Sequence, residues 1–124
     1  MINKIVCIGD SNTYGYDPRS FFGDRYDVSW VDVLHSELGI EVINDGVNGR
    51  CIPEVMEEYD GSVFVIVMLG SNDLLGGLDV SCIVNKMRRY LGKRKVLLIS
   101  PPVFNITTEN SPTSIGGGMN RQPQ

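Results

Sequence analysis

The sequence predicts an α/β chain built on a mostly parallel sheet. Apolar runs at residues 4–8, 62–69 and 95–100 are short, rich in β-branched residues and unalternated, as strands covered on both faces are. Stretches with helical spacing of apolar residues separate them. The first two runs, and a shorter one at 41–44, end in clusters of Gly, Asp, Asn and Ser, so strand, turn and helix alternate along the chain.

The first strand, Lys4-Ile5-Val6-Cys7-Ile8, is stopped by Gly9, and Asp10, Ser11, Asn12 and Thr13 supply turn and N-cap chemistry. A serine there stands at the carboxyl end of the sheet, where open α/β folds place their sites. Nearby N–H groups and a helix dipole favour a developing negative charge. The alternative is an ordinary N-cap serine after a buried strand. Residues 16–28, rich in Gly, Asp, Arg and aromatics, read as a surface loop overhanging that position. Phe21, Phe22 and Tyr26 either line an apolar acyl pocket or pack this loop onto the body. Ser29 then N-caps a helix that ends at Gly39, with Trp30, Val31, Leu34 and Leu38 on its buried stripe.

Residues 41–44 form a second strand running into Asp45-Gly46-Val47-Asn48-Gly49-Arg50, whose glycines let the backbone approach a ligand closely. Pro53 suits the first turn of a helix burying Val55, Met56 and Tyr59. Residues 62–69 are the strongest strand and the central one, ending in the polar loop Gly70-Ser71-Asn72-Asp73. Asp79 caps a helix that buries Val80, Ile83, Val84, Met87 and Leu91 before Gly92 stops it. Residues 95–100 are a fourth strand, halted by Pro101-Pro102. Beyond Asn105, Thr, Ser, Asn, Gly and Pro dominate. The expectation is one α/β domain over 1–104 and a polar, disordered tail over 105–124.

A net charge of −4, with Lys93-Arg94-Lys95 as the sole basic run, argues against nucleic acid as a partner. No apolar stretch approaches the length of a membrane span. The first strand begins at Lys4, leaving no room for a secretory leader. Cys7, Cys51 and Cys82 are odd in number and lack metal-type spacing, so they read as reduced thiols of a cytoplasmic protein, Cys7 in the core.

The polar loops at Ser11, Gly49 and Asn72 each follow a different strand, and in a parallel sheet all three emerge at one edge. They offer a hydroxyl nucleophile, a backbone N–H and an amide donor, the parts needed to attack a carbonyl and hold the resulting oxyanion. The blocks that carry them are Gly9-Asp10-Ser11-Asn12-Thr13-Tyr14-Gly15-Tyr16-Asp17-Pro18, Asn44-Asp45-Gly46-Val47-Asn48-Gly49-Arg50 and Gly70-Ser71-Asn72-Asp73. In order and spacing they resemble the SGNH (GDSL-type) serine hydrolases, within them the arylesterase and acyltransferase-like branch, over roughly residues 3–104. The resemblance implies a flavodoxin-like three-layer fold with strand order 2-1-3-4-5. It implies hydrolysis of small acyl esters through an acyl-serine intermediate, without metal or organic cofactor. It makes Ser11 the nucleophile, and the N–H groups of Ser11 and Gly49 with the Asn72 side chain the oxyanion hole. Asp10 and Asp73 would organise their loops.

The sequence departs from this family after its third block. The family presents a histidine, with an aspartate three residues earlier, close to its C-terminus, whereas no histidine follows Asn72 here. The sequence also ends before a fifth strand and last helix. His35 is the single histidine, and Asp32-Val33-Leu34-His35 has the family spacing. It falls within the first long helix beside Trp30 and Leu34, where an i, i+3 pair is an ordinary neighbour pair, so it reads as structural. The expectation is an incomplete hydrolase domain, impaired by the missing pair. Its fourth strand would be an open edge for self-association. Two other readings stand beside it. One is a non-catalytic pseudoenzyme or binding module using the same loops. The other is an FMN- or phosphate-binding flavodoxin-like protein with Ser11, Asn12 and Thr13 around the phosphate.

Overall fold

The computed structural model describes residues 1–19 and 24–102. The expected tail at 105–124 and the loop residues Phe21 and Phe22 lie outside them. Among the described residues the strands are β1 (Lys4–Gly9), β2 (Glu41–Gly46), β3 (Val63–Met68) and β4 (Val96–Leu98). They form one sheet in the order β2-β1-β3-β4, and every neighbouring pair is parallel. The helices are α1 (Ser11–Tyr14), α2 (Trp30–Leu38), α3 (Ser71–Leu75) and α4 (Val80–Leu91). This is the expected α/β architecture, with the first four strands in the expected order.

Side chains on a strand alternate between faces, and here each face meets a different helix. Val6, Ile8, Val65 and Val67 pack with Ile52, Met56 and Tyr90, and with Ile83 and Met87 of α4. Ile5, Cys7 and Ile66 pack on the other side with Val31, Trp30 and Leu34 of α2. The central strands are therefore covered on both faces, which is why their sequences do not alternate.

Both long helices start and stop where local chemistry directs. Ser29 and Asp32 form a reciprocal capping box on α2, and Gly39 closes it in the left-handed conformation. The Asp79 carboxylate accepts the Cys82 N–H at the start of α4. Ser29→Ala is expected to cost about 1 kcal/mol, read as a lower urea midpoint at neutral pH. The Ser29 backbone N–H, then its hydroxyl, holds the Asp32 carboxyl below its ordinary range. That contribution is complete above the unfolded carboxyl pKa, about 3.9, and is lost as pH falls through the lower folded value. The Ser29→Ala deficit should therefore narrow in acid.

Several expectations need correction. No helix forms after Pro53: residues 51–60 are irregular. The Ile52 N–H is committed to the Asp73 carboxylate at 3.0 Å and the Met56 carbonyl to Arg94 at 3.2 Å, so distant side chains hold this backbone in place of an i, i+4 ladder. Met56 is buried as expected, but Val55 is 79% exposed. On α4 the buried flank is Ile83, Met87, Tyr90 and Leu91, leaving Val80 and Val84 exposed, and Leu38 of α2 is exposed as well. The polar stretch at Gly70–Asp73 opens a short helix, and β4 is only three residues, prolonged by an Ile99 N–H bond to the Val67 carbonyl.

Candidate active site

Gly9 lies level with Gly46 on one side and Met68 on the other, so the three following loops leave from one edge. In the first, buried Asp10 is the N-cap of α1, its Oδ1 accepting the Asn12 N–H at 3.0 Å and Asn12 Nδ2 at 3.3 Å. Ser11 is thus the first residue of α1, not its cap, and is partly exposed. The helix sits directly on the strand ends. A Cβ on Gly46 would lie 2.2 Å from the Tyr14 nitrogen, and one on Gly9 2.0 Å from Thr13 Oγ1. Asn44 fastens this arrangement: its Nδ2 donates to the Thr13 carbonyl at 2.8 Å and its Oδ1 accepts the Gly46 N–H at 2.9 Å.

The second loop is hydrogen-bonded to the first. The Val47 N–H donates to the Gly9 carbonyl at 3.1 Å, and the Arg50 N–H closes a turn on the Val47 carbonyl at 3.1 Å. The third position of that turn is Gly49, whose φ of 79° lies in the region that favours glycine. The Arg50 guanidinium braces the loop from within, donating to the Asp45 carbonyl at 2.8 Å and to its Oδ1 at 3.1 Å.

The third loop grips the second. Asn72 Nδ2 donates to the Arg50 carbonyl at 3.0 Å. The Asp73 side chain, fully buried, accepts the Ile52 N–H at 3.0 Å and Lys86 Nζ at 2.6 Å. The hydrogen bond from Lys86 to Asp73 raises the lysine's pKa above its ordinary value. The loops bearing Ser11, Gly49 and Asn72 are therefore joined into one bonded unit.

Beside Ser11 lies a cleft of about 390 Å³ lined by Asn12, Gly15, Tyr16, Tyr26 and Trp30 among others. The described part of the overhanging loop is tied down: the Tyr26 N–H donates to the Gly15 carbonyl at 2.7 Å, and the Arg25 guanidinium lies 4.2 Å from the centre of the Tyr14 ring. Tyr26 shares the cleft with Ser11, a placement that sequence reasoning left open.

Other candidates fall away from this edge. His35 is exposed, and its Nδ1 lies 2.8 Å from the Ile40 carbonyl, just before β2 begins. The length of β2 separates that position from the serine edge by roughly 16 Å. Burial pushes the Cys7 thiol up to about 11, which disfavours a nucleophilic thiolate. Thr13 is wholly buried and cannot present its hydroxyl to a phosphate. Among the described residues no group of three or more His, Cys, Asp or Glu side chains is placed to hold a metal. Likewise, none of their helices is long and apolar enough to cross a membrane.

Residues 7–121 match the GDSL-like lipase/acylhydrolase family. The chain belongs to that family. Solved structures agree. A carbohydrate acetylesterase family member from Sinorhizobium meliloti is 25% identical, with a TM-score of 0.56 over 86% of this chain and 66% of its own. AlinE4, an SGNH-hydrolase family esterase, is 26% identical, with a TM-score of 0.58 over 81% of this chain and 58% of its own. A G-D-S-L family lipolytic protein from Veillonella parvula shares the fold at 22% identity and a TM-score of 0.59, over 78% and 56% of the two chains. This GDSL-family chain thus spans no more than two thirds of the length of those structures. None of the curated proteins matches it. Two features of the site escaped sequence reasoning. Lys86 lies 13 residues from Asp73 with no motif to flag it, and Trp30, whose place on the apolar stripe of α2 points to the core, also lines the cleft.

Proposed function

We propose that this domain presents Ser11 as the nucleophile toward small acyl esters, with the N–H groups of Ser11 and Gly49 and the Asn72 amide receiving the oxyanion. The observation that carries this reading is the joining of the three loops at one sheet edge, with Ser11 of the first lining a cleft. Asn72 Nδ2 has two hydrogens; one is spent on the Arg50 carbonyl, and the other is left for a ligand. Neither the Ser11 nor the Gly49 N–H meets a backbone acceptor among the described residues. Ester-cleaving neighbours in the same fold support the substrate class.

In the acylation step Ser11 Oγ bonds to the ester carbonyl carbon, the carbonyl electrons move onto oxygen, and collapse expels the alcohol with a proton. The described residues place no histidine beside Ser11, so the serine proton passes to water or to a group outside them. Without a triad base, serine hydrolases retain only about 10³–10⁴-fold acceleration over water, from the oxyanion hole and binding. Slow acylation is therefore the expected behaviour of these 124 residues alone. The same missing base favours a second reading, in which the cleft holds an acyl ligand without turnover.

A fluorophosphonate distinguishes them by intact mass. Wild type should gain one adduct, mapped to Ser11, and Ser11→Ala none. An unlabelled wild type whose melting temperature rises with an ester analogue as much as that of Ser11→Ala would establish the second reading.

A further inference from the structure

We propose that Asp73 and Lys86 are positioning residues that hold the Gly49 N–H where the oxyanion forms. This rests on the assignment of Gly49 and Asn72 as oxyanion donors. Residues 50–52 are gripped at two points by consecutive residues of α3: Asn72 holds the Arg50 carbonyl and Asp73 the Ile52 N–H. The grip matters because no helix or strand runs through 51–60 to fix this backbone independently. Gly49 lies one residue ahead of the gripped segment, at the third position of the turn that the Arg50 N–H closes on the Val47 carbonyl.

The grip in turn depends on Lys86. Asp73 is fully buried, so no water competes for the carboxylate, and the Lys86 ammonium at 2.6 Å is its single ionic partner among the described residues. Lys86 stands on α4 beside Ile83 and Tyr90, its neighbours at i−3 and i+4, which with Met87 set that helix into the core. A rigid element thereby fixes the carboxylate, the carboxylate fixes Ile52, and the turn at Gly49 follows. Supporting residues of this kind keep donors within the fraction of an ångström that catalysis requires.

The test is the rate of fluorophosphonate labelling at Ser11 across a range of probe concentrations. A donor displaced by about 1 Å costs on the order of 100-fold, so Lys86→Met should lower the maximal labelling rate at least about 10-fold. The half-saturating concentration should stay unchanged and Lys86→Arg should recover most of the rate. A merely structural lysine would shift thermal stability without that split. Equal maximal rates in wild type and Lys86→Met overturn the proposal, as does a loss confined to the half-saturating concentration. Should Lys86→Met fail to fold, Lys86→Gln takes its place, and a wild-type rate there overturns the proposal equally. If wild type itself is not labelled, the Ser11 assignment fails, and NMR decides this one separately. The Gly49 amide and Asn72 side-chain resonances should move in Lys86→Met and return in Lys86→Arg; unmoved resonances overturn it.

Discussion

Gly46→Ala is expected to destabilise the domain by about 3 kcal/mol or more, the upper end of overpacking effects. The new Cβ would lie 2.2 Å from the Tyr14 nitrogen, 2.6 Å from its Cα and 2.8 Å from the Thr13 carbonyl carbon. These are backbone atoms, so no rotamer change relieves the clash. The whole of α1 must lift from the strand ends. Lifting it strains the Asn44 bond to the Thr13 carbonyl and carries Ser11 away from the second loop. Since domains are stable by only about 5–15 kcal/mol, the change should be plain in the urea midpoint. Gly61→Ala is the control, because a Cβ there meets nothing within 4 Å and its φ is not positive. It should fall within about 0.5 kcal/mol of wild type. Equal midpoints for the two variants would show that α1 is free to shift, and would remove the steric account of this glycine.

Gly46 also shows how far the sequence could be read. It was legible as a place of close backbone approach, but the approaching group is Tyr14 of the same chain rather than a ligand. The strands and long helices were legible because their causes are local: unbroken apolar runs, Ser29 and Asp79 as caps, Gly39 and Gly92 as stops. The meeting of the three polar loops was legible because a parallel sheet leaves them no other edge. Segment 51–60 was not, because its partners are distant: Asp73 lies 21 residues from Ile52, and Arg94 lies 38 from Met56. Pro53 satisfied the local rule for a helix start, and tertiary bonds overrode it. Of the four residues that offer N-cap chemistry after Gly9, Asp10 takes the cap by accepting the Asn12 N–H, so the reading of Ser11 as an ordinary cap does not hold. Nothing in the residue spacing pointed to Lys86.

The second large effect lies in that lysine and its carboxylate. Asp73→Ala should cost about 3 kcal/mol or more, the range for breaking a buried ion pair. Two losses contribute unequally. Lys86 is 31% exposed and can relax into water, whereas the Ile52 N–H is buried and would be left without its acceptor. Lys86→Met fails differently, stranding a carboxylate that has no access to solvent. If the groups act as one unit, the costs will not add. The double variant Asp73→Asn, Lys86→Met should be more stable than the sum of the separate costs of Asp73→Asn and Lys86→Met implies, by at least about 1 kcal/mol. The coupling should also respond to pH in a definite direction. Asp73 raises the Lys86 pKa, so the stabilisation is complete below the unfolded lysine value. It declines only as pH climbs from about 10.4 through the higher folded value. Urea midpoints at pH 8 and at a series above pH 10 test both points. Additive costs at pH 8, or coupling that vanishes near neutrality, would mean that the carboxylate holds Ile52 without help from the lysine. The grip on the Gly49 loop would then reside in α3 alone.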